Sequence, residues 1–344
     1  MPEQQASPRR LLDELRFLAF YLPREAVQLL SRRLPLSRLR DRLPRFIGQK
    51  LRSGLYPARL NDPLRVACAR CYRPWGDPPD LDKNQPVRYA APPRASVLVV
   101  TYGNLDLTRL CLASVQRAAG PTPFELIVVD NASPDGEQTA AYLDGVSASG
   151  LLPLRVVKNR QNVGFAAANN QAAAMARGDI LFFLNNDTVV RKGWLDRMVA
   201  ELDGDLGIGM LGPVTNSCGN AAELKVAYAD LDEMERFAHS YCADHAGDQT
   251  ELSMLTLFCA AMPAALFRSI GGLDERYGAG MFEDDDLGMA VRTRGKRLVL
   301  LRDVFIHHYG GAAFSRLPPR QYLRLFYMNR RYFEKKWNTR WPKR

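Results

Sequence analysis

The sequence has no apolar run approaching the roughly 18 residues that a membrane-spanning helix needs, and Met1 to Arg10 holds no apolar stretch like that of a secretory signal. The expectation is an intracellular, cytoplasmic protein. Cysteine is sparse: six residues at 68, 71, 111, 218, 242 and 259 do not compose a disulfide framework. Cys111 and Cys259 lie in apolar surroundings that suit reduced core thiols. Cys68-Ala69-Arg70-Cys71 has no second pair and no nearby histidine, which argues against zinc. Internal repeats and low-complexity tracts are also missing. What remains is globular composition, 47% hydrophobic and 24% charged over 344 residues, enough for one large or two modest domains.

The net charge of +10 is unevenly spread. Residues 1–70 hold 15 Lys/Arg against 6 Asp/Glu and residues 320–344 hold 9 against 1, which leaves the middle with 23 against 30. No nucleic-acid motif accompanies the basic ends, so nucleic acid is not expected as a partner. Bulky apolar residues sit among the arginines instead: Leu11, Leu15, Leu18 and Leu22 at one end, Tyr322, Leu325, Phe326, Tyr332, Phe333 and Trp337 at the other. Two accounts stay open. The ends meet an anionic membrane surface, placing the protein at the inner face of the cell membrane, or they pack as helices on the protein's own core.

In chain order, Pro23, Pro35 and Pro44 break an arginine-rich helical segment into short helices. From Tyr56 to Pro93 the sequence turns proline-rich and polar, which places a boundary near residue 94. A regular alternation follows. Strands are expected at Ser96–Thr101, Glu125–Asp130, Leu154–Val157 and Ile180–Leu184. Helices fill the intervals, one of them with Leu107, Leu110, Cys111, Ser114, Val115 and Ala118 at spacings of 3 and 4. Such β-α units imply a parallel sheet with right-handed crossovers.

The run Ile180-Leu181-Phe182-Phe183-Leu184 reads as a strand buried on both faces, and it stops on Asn185-Asn186-Asp187. In an open α/β sheet, ligands bind beyond the carboxyl ends of the strands. Asp187 would meet a divalent cation and a diphosphate there; a plain turn or helix cap is the alternative. Asp130 belongs to the same edge. Glu283-Asp284-Asp285-Asp286 sets four carboxylates before a helical run, more than the helix dipole calls for.

Val128-Val129-Asp130-Asn131-Ala132-Ser133, Asn162-Val163-Gly164-Phe165 with Asn169, Leu184-Asn185-Asn186-Asp187, Phe282-Glu283-Asp284-Asp285-Asp286-Leu287 and His307-His308-Tyr309-Gly310 resemble, in order, the motifs of family 2 glycosyltransferases. The resemblance covers about residues 95–315. It implies an α/β GT-A (nucleotide-diphospho-sugar transferase) fold, with a mainly parallel sheet and helices on both faces. Residues 1–94 are then a basic helical extension and linker, 95–318 the transferase domain, and 319–344 a basic aromatic C-terminal helix or tail.

The implied activity is inverting transfer of a sugar from a UDP-, dTDP- or GDP-linked donor to a hydroxyl of a glycan or lipid-linked acceptor, with Mg²⁺ or Mn²⁺. The Asn-Val-Gly-Phe and Asn-Asn-Asp set is similar to the branch that includes rhamnosyltransferases of bacterial surface polysaccharides. By the match, Asp187 and His308 hold the metal, with His307 as the alternative to His308. Thr101, Asp130, Asn162, Gly164, Asn169, Asn185 and Asn186 bind the donor. Asn185 stands where the family's metal motif has its first aspartate, which lowers the negative charge of the site. Asp284 is the candidate base, with Glu283 orienting and Asp286 as the alternative. A nucleotidyltransferase and an inactive transferase-like scaffold remain the other classes. Thr101-Tyr102-Gly103-Asn104 suits a triphosphate poorly, and the intact Asp187, Asp284 and His308 oppose the scaffold.

Overall fold

The computed structural model describes residues 77–310 and 319–341. The expected N-terminal helices with their leucines, and the Cys68/Cys71 pair, lie outside the described residues. Nearly everything described belongs to one compact unit, Cys71–Ala313 with Leu325–Arg344.

The first half of the unit follows the expected alternation. Strand β1 (Ala95–Thr101) leads to α1 (Leu105–Arg117), β2 (Phe124–Asp130) to α2 (Gly136–Ser149), and β3 (Leu154–Lys158) to α3 (Phe165–Met175), before β4 (Ile180–Asn185) and the short β5 (Thr188–Val189). The second half is less regular: α4 (Trp194–Gly204), β6 (Ile208–Val214), α5 (Leu231–Asp244), β7 (Gln249–Leu252), β8 (Cys259–Pro263), α6 (Ala264–Ile270), a 3₁₀ turn (Glu275–Tyr277), α7 (Glu283–Thr293), β9 (Arg297–Phe305) and β10 (His307–His308). A last helix, α8 (Pro319–Lys336), ends the fold.

Eight strands form one sheet in the order β3-β2-β1-β4-β8-β6-β9-β7. β1 pairs in parallel with β2 and β4, and β2 with β3, whereas β8 lies antiparallel between β4 and β6. The register aligns Thr101 with Asp130 and Val100 with Asn185, so the polar ends of three strands share one edge. This is the mainly parallel sheet that the resemblance implies.

Strands covered on both faces are apolar along their length, as the runs Val97–Val100 of β1, Leu126–Val129 of β2 and Ile180–Leu184 of β4 are, with Ser96, Glu125 and the terminal Thr101, Asp130 and Asn185 as polar exceptions. Phe182 and Leu184 join the layer with Leu143, Val115 and Trp194 from α2, α1 and α4. Leu181 and Phe183 face the opposite layer with Ala168 and Ala172 of α3, Phe267 of α6 and Val291 of α7. Phe182 meets Trp194 edge-on at 5.4 Å and Phe183 meets Phe267 at 5.3 Å. Burying each phenylalanine stabilises the fold by roughly 1.5–3 kcal/mol. The alanines of α3 keep that helix close to the sheet, which brings its first turn to the strand ends.

The proline-rich residues ahead of β1 lie against the first layer. Val87 is buried, the Asp82 amide donates to Gln116 Oε1 at 2.7 Å, and Tyr89 meets Phe124 edge-on at 5.5 Å. On the amino-terminal side of the sheet, buried Glu125 accepts from Ser96 Oγ (2.7 Å) and the Arg177 amide (2.6 Å) and pairs with Arg155 at 2.5 Å. Burial works against this charge, but the hydrogen bonds and Arg155 hold its carboxyl below the usual range.

Gly178 stands where that network meets β1. A Cβ there would lie 2.6 Å from the Ala95 carbonyl carbon and 2.7 Å from the Ser96 nitrogen, both rigid backbone. Gly178→Ala is therefore expected to destabilise the domain by about 1–3 kcal/mol. Chemical denaturation checks it, and an unchanged midpoint would show that the two segments can part at little cost.

Candidate active site

Each parallel strand delivers a polar residue to the carboxyl edge, where the side chains take different tasks. Thr101 is fully buried, with its hydroxyl 3.0 Å from that of Thr108. The Asn186 amide nitrogen donates to Thr101 Oγ1 (3.2 Å) and Thr108 Oγ1 (2.9 Å). These groups tie the end of β4 to the β1–α1 loop. Asn169 is likewise turned inward, donating to the Phe165 carbonyl at 3.0 Å within α3.

Asp130 closes a turn by accepting from the Ser133 amide at 3.0 Å through Oδ1. The next residue, Asn131, belongs to the motif after β2 but has no role of its own in the sequence reading. Its amide nitrogen donates to Asn162 Oδ1 (3.0 Å) and the Gly164 carbonyl (3.3 Å), while its oxygen accepts from Asn159 Nδ2 and the Val163 amide, both at 3.0 Å. The Asn162–Gly164 loop is thereby fastened to the end of β2. Gly164 has a φ of 90°, and a Cβ on it would lie 2.2 Å from the Gly278 carbonyl oxygen. Only glycine permits both the conformation and the approach.

Asp187 and His308 meet through a separate two-stranded ribbon. β5 and β10 pair antiparallel, with His308 opposite Thr188, and the Tyr309 amide donates to the Asp187 carbonyl at 2.9 Å. His308 Nε2 lies 3.2 Å from Asp187 Oδ1 and 3.4 Å from Asn185 Nδ2. Its Nδ1 faces the Ser217 carbonyl at 2.6 Å, and Phe258 stacks on the ring at 5.0 Å. Asn216 holds the backbone from the far side, its oxygen accepting from the His308 amide (2.8 Å) and its nitrogen donating to the His308 carbonyl (3.0 Å).

Burial alone would raise the Asp187 carboxyl, but the neighbouring His308 holds it below the ordinary carboxylate range. Burial alone would lower His308, and Asp187 more than reverses it. His307, on the other face of the ribbon, is buried with Nδ1 2.8 Å from the Tyr228 hydroxyl. Burial and then the charge of His308 push it down to about 3, so it stays neutral. The alternation of side chains along a strand thus separates His308 from its sequence alternative, His307.

Glu283, Asp284, Asp285 and Asp286 form the first turn of α7. Asp286 is buried with both oxygens engaged: Oδ1 accepts from the Tyr277 hydroxyl (2.9 Å) and Trp337 Nε1 (2.8 Å), and Oδ2 from Lys336 Nζ (2.7 Å). Half-buried Asp284 accepts from the Asp285 amide at 2.9 Å. Glu283 is buried, and its Oε2 has no hydrogen-bond partner among the described residues.

The aromatic C-terminal end faces the same turn. Phe326 and Phe333 are buried against Phe282, at 5.2 and 5.8 Å between ring centres, so these side chains are spent on the domain and not on an outside surface.

Residues 96–269 match the model of the Glycosyl transferase family 2, just over half of the chain, and the chain belongs to that family. The acidic turn and His308 lie beyond the matched span. Over 255 residues it is 27% identical to an uncharacterised protein of Sinorhizobium fredii, covering 72% of this chain and 28% of that one. Over 260 residues it is 26% identical to the O-antigen biosynthesis protein RfbC of Myxococcus xanthus, covering 69% of this chain and 19% of that one. The chain thus spans less than a third of either relative. Among solved structures it is similar to GalNAc-T7 with UDP, GalNAc and Mn²⁺, at a TM-score of 0.51 and 17% identity, covering 62% of this chain and 43% of that one. That likeness is one of fold, and the fold is GT-A.

Burial, and then the Asp284, Asp285 and Asp286 carboxylates, push Glu283 up to about 8 from an ordinary 4.5. Between those values the folded state holds a proton that the unfolded chain releases, so stability falls as pH rises through the window. Wild-type stability to urea should drop by on the order of a few kcal/mol from about pH 5 to about pH 9 from this group alone. In Glu283→Gln that part of the slope should vanish. Parallel pH profiles for the two proteins would place Glu283 in a solvated setting instead.

Proposed function

We propose that this chain transfers a sugar from a nucleotide-diphosphate donor to a hydroxyl of a glycan or lipid-linked acceptor, with inversion at the anomeric carbon, in surface-polysaccharide synthesis. The observation that carries the reading is the Asp187–His308 pair, 3.2 Å apart at the carboxyl end of β4. Membership of the family supports it, as do the fold shared with a protein crystallised with UDP, GalNAc and Mn²⁺ and a relative named for O-antigen biosynthesis.

A buried carboxylate beside an imidazole whose other nitrogen is held by a carbonyl is a donor set that fits a divalent cation. Mg²⁺ and Mn²⁺ both suit the carboxylate, and the imidazole favours Mn²⁺. Asp187 and His308 would hold the cation from the protein side, and diphosphate oxygens and water would supply its other ligands. Bound there, the cation supplies positive charge against the departing diphosphate.

Asp130 receives a base N–H or a ribose hydroxyl, and the Asn162–Gly164 loop offers backbone groups at the start of α3. Asn185 is the hydrogen-bonding companion to ribose or phosphate. Thr101, Asn169 and Asn186 hold these groups in place. Asp284 takes the proton of the acceptor hydroxyl as its oxygen attacks the anomeric carbon. The bond to the diphosphate oxygen breaks on the opposite face, which inverts the centre. Asp286, the alternative base, is already occupied by Tyr277, Lys336 and Trp337.

No helix among the described residues is long and apolar enough to cross a membrane. Attachment at the inner face of the cell membrane then rests on charge, with Arg331 and Lys335 exposed on α8. Each basic residue near an anionic surface contributes about 1 kcal/mol.

Asp187→Asn is expected to weaken metal-dependent donor binding tenfold or more in calorimetry with Mn²⁺ and UDP-, dTDP- and GDP-sugars. Unchanged affinity would remove Asp187 from the metal site. Asp284→Asn should leave donor affinity within a few-fold and cut turnover by on the order of 10² or more. A larger loss in Asp286→Asn with the fold intact would move the base to that residue.

A further inference from the structure

The acidic turn grows out of strained backbone. Gly278 and Gly280 have φ values of 63° and 129°, which glycine accepts, but Met281 at 73° and Phe282 at 77° do not have that freedom. Phe282 is the residue from which α7 starts, and its side chain makes no capping hydrogen bond. Two successive non-glycine residues in this region persist only when their surroundings over-determine them.

The surroundings that do so come from α8 and the residues just after it. Asn329 is buried, and its amide nitrogen lies 2.9 Å from the Tyr277 carbonyl, 2.8 Å from that of Gly280 and 3.1 Å from that of Met281. Two N–H bonds thus serve three acceptors along the strained segment. The Phe282 ring is held by Phe326, Phe333 and Trp341 at 5.2, 5.8 and 5.3 Å. Lys336 reaches Asp274 (2.8 Å) and Asp286 (2.7 Å), which flank the segment on both sides, and Tyr332 donates to Asp274 at 2.9 Å. Burial would raise the Asp274 carboxyl, but Arg276 and Lys336 hold it far below the usual range.

The same segment also touches the donor side, since the Gly278 carbonyl packs on Gly164. A shift in residues 277–282 therefore moves the base relative to the loop that faces the donor. We propose that Asn329 is a positioning residue for the transfer reaction: from α8 it holds the strained turn that sets Asp284 against the donor loop. The proposal rests on the transferase reading above. Asn329 touches neither donor nor acceptor in it and acts through the 277–282 backbone.

The test uses the full chain and has a readout independent of catalysis. In Asn329→Ala, hydrogen exchange over residues 277–287 should quicken at least tenfold while that of β1, β2 and β4 stays as in the wild type. Asn329→Asp matches asparagine in size but faces three carbonyl oxygens with a carboxylate, so its exchange should quicken at least as much as that of the alanine variant. A space-filling role would make Asp the milder change. Turnover with a nucleotide sugar should fall tenfold or more in Asn329→Ala, with calorimetric donor affinity within threefold of wild type. If the asparagine variants do not fold, Lys336→Gln breaks the same clamp more mildly and should quicken exchange in the same segment alone. Unchanged exchange over 277–287 in the folded variants overturns the clamp, and equal losses of donor affinity and turnover overturn the positioning role. A wild type with no transferase activity would defeat the transferase reading and the positioning role together, with the exchange data still deciding whether α8 clamps the turn.

Discussion

The site depends on the pairing of β5 with β10, a ribbon of two residues on each strand. Asp187 ends the motif after β4 and His308 follows β9, and β4 and β9 are not neighbours in the main sheet. Without the ribbon, the carboxylate would sit at the edge of a rigid sheet with no imidazole to face. The Tyr309 amide on Asp187 and the Asn216 side chain on His308 secure that ribbon from both edges. Ser217 and Phe258 then fix the rotation of the ring. A small element can hold a site because the groups that fasten it are buried or half-buried and paired with it.

Around this pair the fold brings three loops together, each held by a side-chain amide. Asn186 ties the end of β4 to the β1–α1 loop, Asn131 ties the Asn162–Gly164 loop to β2, and Asn329 ties the turn before α7 to the C-terminal helix. An amide offers two donors and an acceptor without charge, so it can satisfy buried backbone carbonyls without adding to the charge of the site. The contact of Gly164 with Gly278 joins two of these loops. On the transferase reading, donor-side and acceptor-side geometry are thereby linked through backbone, which deforms less readily than long side chains.

Much of the first half was legible in the sequence because its signals are local. Continuous apolar runs ending on Asp130 and Asn185 state both the strand and its polar edge, and α3 falls in its expected interval, whereas α7 begins at Glu283 and takes in the four carboxylates expected to precede it. The stretch between β5 and α7 gave no such signal. β8 is a short run of small residues sandwiched antiparallel, and its pairing is decided by tertiary contacts that leave no periodicity behind. Side-chain direction was legible only in part. Glu283 and Asp286 stand three apart in α7, and what reaches Asp286 is Lys336 at the end of α8 and Trp337 just after it, which no local pattern announces. For the same reason Asn131 and Asn216 read as ordinary loop residues.

The carboxylates of the site differ in what burial does to them. Asp187 is buried beside an imidazole and stays ionised. Glu283 is buried beside carboxylates, and at about 8 it is mostly protonated near neutral pH. Environments that push titratable groups apart are how one site assigns separate tasks to chemically similar residues. A neutral Glu283 leaves one anion fewer next to Asp284, while Lys336 offsets the charge of Asp286. The first turn of α7 thus carries less negative charge than its four carboxylates suggest. A diphosphate donor is itself strongly anionic, and a fully charged acidic turn would repel it. On the transferase reading, the acidic turn can approach the donor more closely because burial and the C-terminal helix have already removed part of that repulsion.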